Sequence, residues 1–172
     1  MTTPEDERAD LLATLAKHRQ LLRHTTRDLT DEQAALRTTA SELCLGGLIK
    51  HVTAVERNWT AFIVQGPSVM GDFTQMTEAD WARRAAEFRM QPDETLAAVL
   101  DAYAETARAT DELIAVLPDL NATQPLPKAP WHQPNTHWSA RRTLLHIIAE
   151  TAQHSGHADI IRESLDGAKT MG

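Results

Sequence analysis

The chain has 172 residues and a formal net charge of −7, with 42% hydrophobic and 24% charged residues. This length suits one domain with one core, which we expect to cover residues 1–172, and the composition excludes extensive disorder. The acidic charge argues against nucleic acid as a partner, and no apolar run reaches the roughly 20 residues that span a membrane. The polar N-terminus is not a secretory signal, and the single Cys44 permits no internal disulfide, so a cytoplasmic location is predicted.

The first predicted helix begins after Thr3, whose hydroxyl can cap the first turn, and ends near Asp28. Its apolar residues recur at helical spacing: Leu11, Leu12, Leu15, Leu22 and Leu29. A short helical segment is predicted from Asp31 to Leu36. These features favour an amphipathic helix followed by a compact connection.

The second long helix is predicted to begin at Ser41 and to end at Gly66-Pro67. Its apolar stripe consists of Leu45, Leu48, Ile49, Val52, Val55, Trp59, Phe62 and Ile63. His51 lies in the middle of this helix and beside the stripe. Cys44, near its start, is expected to pack as a small apolar residue.

Residues 67–92 are predicted to form a long connection in which Thr77 caps a short helix carrying Trp81 and Phe88. A third long helix should extend from about Asp93 to Val116.

The proline-rich segment 118–138 is predicted to be a structured loop, and the last helix should begin after Ser139 and end near Leu165, before Gly167. Four long helices with two long connections predict an all-α four-helix bundle with short extra helices.

The last helix carries an unusual polar ridge. At about 100° per residue, His146, Glu150, His154 and His157 share one face. A solvated polar face is the plain alternative, but this ridge contains no lysine or arginine. Glu150 and His154 are four residues apart, a spacing that lets two side chains of one helix hold the same ion.

A third metal ligand has to come from another helix, and His51 is the candidate because it lies beside an apolar stripe. The alternative is a buried histidine that is hydrogen-bonded to a neighbour. Imidazole and carboxylate ligands together suit zinc, nickel, iron or manganese.

Two segments of the chain resemble a known family. The second helix reads LGGLIKHVTAVERNW, and the last reads SARRTLLHIIAETAQHSGHADIIRE. Together they resemble the DinB/YfiT-like superfamily of metal-binding four-helix bundles over nearly the whole chain. The resemblance implies that His51, Glu150 and His154 bind one divalent metal. Glutamate in place of the commoner histidine is similar to the His/Glu/His site of mycothiol-dependent maleylpyruvate isomerase.

The resemblance also implies an activity: a thiol-dependent S-transferase or isomerase, whose metal, most simply zinc, activates a low-molecular-weight thiol such as mycothiol. His157 falls where many members have glutamine. It is predicted to act catalytically as a proton shuttle, with an outer-sphere or fourth-ligand role as alternatives. Arg141 and Arg142 are candidates for binding carboxylates of the thiol cofactor or of the substrate, unless they form only surface ion pairs.

Other interpretations stay open from the sequence. The metal can be structural in a binding or stress-response module, or it can activate water for hydrolysis, with His157 or Asp159 as base. Asp159 points away from Glu150 on the helix, which weakens that role. Trp59, Trp131 and Trp138 can wall a pocket or pack in the core. Superfamily members are often homodimers.

Overall fold

A computed structural model describes residues 4–170 of the chain, with side chains from Asp6 onward. Four long helices form a bundle: α1 (Pro4–His24), α3 (Leu45–Gln65), α5 (Leu96–Val116) and α6 (Ala140–Asp166). The short helices α2 (Asp31–Ala35) and α4 (Glu78–Ala86) lie in the connections, as do 3-10 turns at Pro67–Val69 and Phe73–Gln75. A small antiparallel hairpin pairs β1 (Thr123–Pro125) with β2 (His137–Ser139). The prediction of an all-α bundle is confirmed.

The helix α6 lies beside both α1 and α3, and α3 also packs along α5. Two apolar clusters fill the interior. One consists of Leu22, Leu45, Leu48, Ile49, Val52, Val99, Tyr103, Ala158 and Ile161. The other consists of Leu11, Leu15, Trp59, Phe62, Ile114, Leu120, Leu144 and Ile147. The two clusters occupy different lengths of every long helix, so the residues between them form a separate layer across the middle of the bundle.

That middle layer is polar. Arg19 of α1 and Glu56 of α3 form a buried two-point ion pair, with Nη2–Oε1 at 2.5 Å and Nε–Oε2 at 3.1 Å. Arg19 also donates to Asp111 of α5 at 2.8 Å. Burying two charges is costly unless each is well paired, and here each is satisfied by more than one contact. Glu150 and His154 of α6 lie at the same level of the bundle.

Two helix boundaries differ from the sequence prediction. The helix α1 ends at His24 rather than near Asp28, because residues 25–28 form a turn in which the Thr25 hydroxyl bonds back to the Leu22 carbonyl at 2.7 Å. Asp28 takes a left-handed conformation with φ of 58°. The Thr3 cap lies outside the described residues.

The helix α3 begins at Leu45 rather than at Ser41. Cys44 is its N-cap, and the Cys44 sulfur accepts a hydrogen bond from the Gly47 N–H at 3.4 Å. Cys44 is buried, as expected from the sequence, but it also satisfies one of the free N–H groups of the first turn.

The connections also differ in detail. The helix α5 begins at Leu96, a few residues after Asp93, because Thr95 caps it. Thr77 caps α4 as predicted, whereas Phe88 lies in the turn after α4 ends at Ala86. Within residues 4–170, no helix is both long enough and apolar enough to cross a membrane.

Candidate metal centre

Three side chains from α3 and α6 converge at the middle layer. The Glu150 Oε2 atom lies 3.9 Å from His51 Nε2 and 3.7 Å from His154 Nε2. One ligand atom from each of the three residues lies within 4.8 Å of the others. The two histidines are buried, and Glu150 is half-buried, with 28% of its side chain exposed. The cluster is therefore open to solvent on the side of the carboxylate.

The imidazole of His51 is held by packing. It stacks on the Phe88 ring with centroids 4.0 Å apart and planes 21° apart, and it meets the His154 ring edge-on at 4.9 Å. Its Nδ1 atom is buried and has no hydrogen-bond partner among residues 4–170. The direction of Nε2 toward Glu150 therefore depends on Phe88 and His154 rather than on a hydrogen bond to Nδ1.

Two adjacent glycines of α3 allow Phe88 to come this close. A Cβ atom on Gly47 would lie 1.9 Å from the Phe88 carbonyl oxygen, and one on Gly46 would lie 2.1 Å from the Met90 sulfur. Only glycine permits this approach of the segment after α4 to the α3 backbone. Lys50 holds the same segment by donating to the Arg89 carbonyl at 2.8 Å.

The charges in the cluster favour neutral imidazoles and an ionised carboxylate. Burial, followed by the neighbouring His51, lowers the pKa of His154 to about 4. The His51 imidazole is the largest cause that lowers the pKa of Glu150, and burial opposes it. Burial also lowers the pKa of His146. Near neutral pH the set therefore offers two lone pairs on nitrogen and one negative charge, which is the state that metal binding requires.

The structure places His157 behind His154. The two Nδ1 atoms lie 3.3 Å apart, whereas the Nε2 atom of His154 faces Glu150. A proton on His154 Nδ1 can be donated to His157, which leaves the Nε2 lone pair of His154 free. This is the usual arrangement around a histidine ligand, whose second nitrogen bonds to an outer partner. The catalytic role predicted for His157 stays a prediction.

On the other side of Glu150, His146 completes the ridge. Its Nε2 atom lies 3.9 Å from Glu150 Oε1, and its ring meets Trp59 and Trp138 edge-on at 4.9 and 5.1 Å. The two indoles stack with centroids 4.9 Å apart. Trp59 is buried and Trp138 is half-buried, so they combine core packing with a wall beside the cluster.

The two arginines predicted to bind carboxylates have different surroundings. The guanidinium of Arg141 pairs with Glu7 of α1, with Nη2–Oε2 at 3.0 Å, and it also contacts Asn121. Arg141 lies nine residues before Glu150, so it projects from the opposite side of α6. The guanidinium of Arg142 lies over the Trp138 ring at 4.3 Å, on the walled side. Carboxylate binding by either stays a prediction.

The donor set fits a divalent metal. In a tetrahedral zinc site with bonds of about 2.0–2.1 Å, neighbouring ligand atoms are roughly 3.3–3.5 Å apart. The separations of 3.7 and 3.9 Å need to close by only a few tenths of an ångström. Nitrogen and carboxylate ligands suit zinc, nickel, iron and manganese. Three protein ligands beside a solvent opening also leave room for a further ligand.

Phe88 is the site residue that the sequence reasoning missed. Its position follows from the packing of a connection against α3, and the signal was the Gly46-Gly47 pair in the first turn of that helix. A helix interior seldom contains two adjacent glycines unless another backbone must come close.

Comparisons with known proteins agree with this fold. The sequence model of a family described as Mycothiol-S-transferase matches residues 10–167. A crystal structure described as a conserved protein from Enterococcus faecalis is similar with a TM-score of 0.68 and 15% sequence identity. That similarity covers 93% of this chain and 97% of the other, and at this identity it shows the fold alone. No curated protein matches the chain.

Proposed function

Because the chain belongs to the mycothiol-S-transferase family, we propose that it is a divalent-metal-dependent enzyme that joins a low-molecular-weight thiol, mycothiol, to a small electrophile. The observation that carries this proposal is the convergence of His51, Glu150 and His154 within 4.8 Å beside a solvent opening. Zinc is the proposed metal. The proposed setting is the cytoplasm, where thiols are kept reduced. An isomerase that uses the same thiol chemistry is the closest variant.

A divalent ion held by these three residues would lower the pKa of a thiol whose sulfur it binds, so that the thiol ionises near neutral pH. The side chains around it have separate tasks. Glu150 supplies the one negative charge, and the two imidazoles bind through neutral nitrogen. His157 accepts the proton of His154 Nδ1 and so fixes the tautomer of that ligand. The assigned proton positions follow from this hydrogen-bond logic.

The transfer step forms one bond and breaks another. The thiol loses its proton to a base, and its sulfur attacks the electrophilic carbon. The electron pair displaced from that carbon leaves with the departing group or moves to the adjacent atom, which then takes up a proton. Trp138 and Trp59 exclude water from one side of this reaction, and Arg142 over Trp138 is placed to hold a carboxylate of either reactant.

The first test measures metal content and thiol consumption together. We expect about one metal ion per chain in the untagged wild type, and its loss in His51→Ala, Glu150→Ala and His154→Ala. The matched control is His137→Ala, an exposed histidine of β2 that lies outside the cluster. The loaded wild type should consume mycothiol in the presence of an electrophile such as a haloaromatic compound, and the three ligand variants should not.

The outcomes separate the alternatives. Absence of metal from the wild type, even after addition of zinc, nickel, iron or manganese, would contradict the metal site. Stoichiometric metal without thiol consumption would favour a structural metal in a binding or stress-response module. Release of a hydrolysis product without thiol would favour the hydrolase. Asp159 is poorly placed as its base, because its carboxylate accepts from the Thr170 N–H at 2.8 Å.

A further inference from the structure

A groove of about 450 Å³ lies beside the candidate metal centre. Phe88 belongs to both places, because its ring lines the groove and stacks on the metal-centre residue His51. Trp81, Leu43 and Ala85 contribute the other apolar walls. A volume of this size suits a small molecule, and aromatic walls with a few polar groups are typical of ligand sites.

Two of the four tryptophans of the chain are exposed at this groove. Trp81 of α4 is 42% exposed, and Trp131 of the proline-rich loop is 58% exposed. They come from connections far apart in sequence, yet their rings lie 6.3 Å apart. Trp131 also contacts Phe73 at 5.4 Å. Large exposed aromatic side chains that gather in one patch commonly mark a binding surface.

Polar groups border the same surface. The guanidinium of Arg84 lies over the Phe73 ring at 5.4 Å, and Arg89 pairs with Glu42 at 3.0 Å. These side chains offer both donors and acceptors at the edge of the aromatic patch. An amphipathic ligand with flat C–H faces and many hydroxyl groups matches this combination, since its faces pack on rings while its hydroxyls bond at the border.

We propose that this groove binds the carbohydrate part of the thiol, with sugar rings packed against Trp81 and Trp131. The proposal rests on the proposed function for the identity of the thiol, because mycothiol carries its cysteine on a glucosaminyl-inositol unit. The Phe88 ring lies 4.0 Å from the His51 ring and 6.4 Å from the His154 ring. One cysteinyl residue spans roughly 3.3–3.6 Å of extended chain plus its side chain, so it can bridge past Phe88.

The test uses a probe without sulfur. Glucosaminyl-inositol has no thiol, so its binding reports the groove and not the metal. Saturation-transfer NMR titrations of the full chain should show saturable binding by the wild type and at least fivefold weaker binding by Trp81→Ala and by Trp131→Ala. Ile160→Ala is the matched control, because Ile160 is an exposed apolar residue of α6 outside the groove, and it should bind like wild type.

The same titration with His154→Ala separates the two proposals. Retained probe binding by this variant, together with failure of the thiol-consumption assay, would leave the groove assignment standing and remove the proposed reaction. Absence of probe binding by the wild type would overturn the groove assignment, as would equal binding by both tryptophan variants. A patch that instead serves self-association would reveal itself if Trp81→Ala changed the sedimentation of the protein but not its binding of the probe.

Discussion

The Phe88 ring stacks on the His51 imidazole at 4.0 Å, and this contact joins a connecting segment to a ligand of the candidate metal centre. The contact depends on the close approach of the two backbones at Gly47. The orientation of His51 is therefore linked to the packing of residues 88–94, which follow α4 and precede α5, rather than to α3 alone.

This linkage predicts the effect of adding a methyl group at Gly47. The new Cβ of Gly47→Ala would lie 1.9 Å from a backbone oxygen of Phe88, so the segment has to move. We expect a loss of about 1–3 kcal/mol in the free energy of unfolding, as for other overpacked sites. We also expect weaker metal binding, because the stack on His51 is displaced. Urea unfolding and metal titration measure the two effects.

Gly156→Ala is the matched control for that variant. Gly156 also lies within a helix, but a Cβ there meets nothing within 4 Å. Replacing an unconstrained helical glycine by alanine should stabilise the protein by about 0.5–1 kcal/mol. Equal and small effects of the two substitutions on both stability and metal affinity would disprove the proposed role of the Gly47 contact.

The buried ion pair of the middle layer predicts a second contrast. Glu56→Gln leaves the buried guanidinium of Arg19 without its main partner, so we expect a loss of about 3–5 kcal/mol in the free energy of unfolding. Asp111→Asn removes the partner whose side chain is 47% exposed, and it should cost less than about 1 kcal/mol. Chemical denaturation of the two variants under identical metal conditions tests this difference, and similar losses would contradict it.

The position of His157 predicts an effect on metal affinity. Removing the partner of His154 Nδ1 in His157→Ala should weaken metal binding about 10- to 100-fold, the range seen when outer partners of histidine ligands are lost. His157→Gln should recover part of the affinity, because its carbonyl oxygen can accept the same proton. His137→Ala is the control and should bind metal normally.

A proton-shuttle role for His157 would give a different result. In that case His157→Ala would keep the metal affinity of the wild type, kcat would fall, and glutamine would not restore it. Metal titrations followed by steady-state kinetics on fully loaded protein distinguish the two roles.

The lowered pKa of His154 predicts how the metal-free protein responds to acid. Its folded pKa of about 4 lies below the model value of 6.5, so the unfolded chain binds a proton that the folded chain refuses. This contribution to stability is complete above pH 6.5 and decreases as the pH falls toward 4. Urea midpoints in EDTA should therefore fall between pH 7.5 and 5.0, and more steeply in the wild type than in His154→Gln.

The sequence alone determined the helices and the ligand pattern. Helical periodicity is a local property, so it located the four long helices, and the four-residue spacing from Glu150 to His154 followed from helix geometry. Caps were less predictable. Thr77 was read correctly from a local motif, whereas the start of α3 was missed because a cysteine rather than a serine caps it.

Only the tertiary structure decided which residues surround the ligands. The proximity of His51 to Glu150 depends on the pairing of α3 with α6, and the packing of Phe88 depends on a connection folding back over two glycines. The contact between Trp81 and Trp131 likewise joins two loops that are far apart in the chain. Such long-range contacts arise from the packing of whole elements, which leaves no periodic signal in the sequence around each residue.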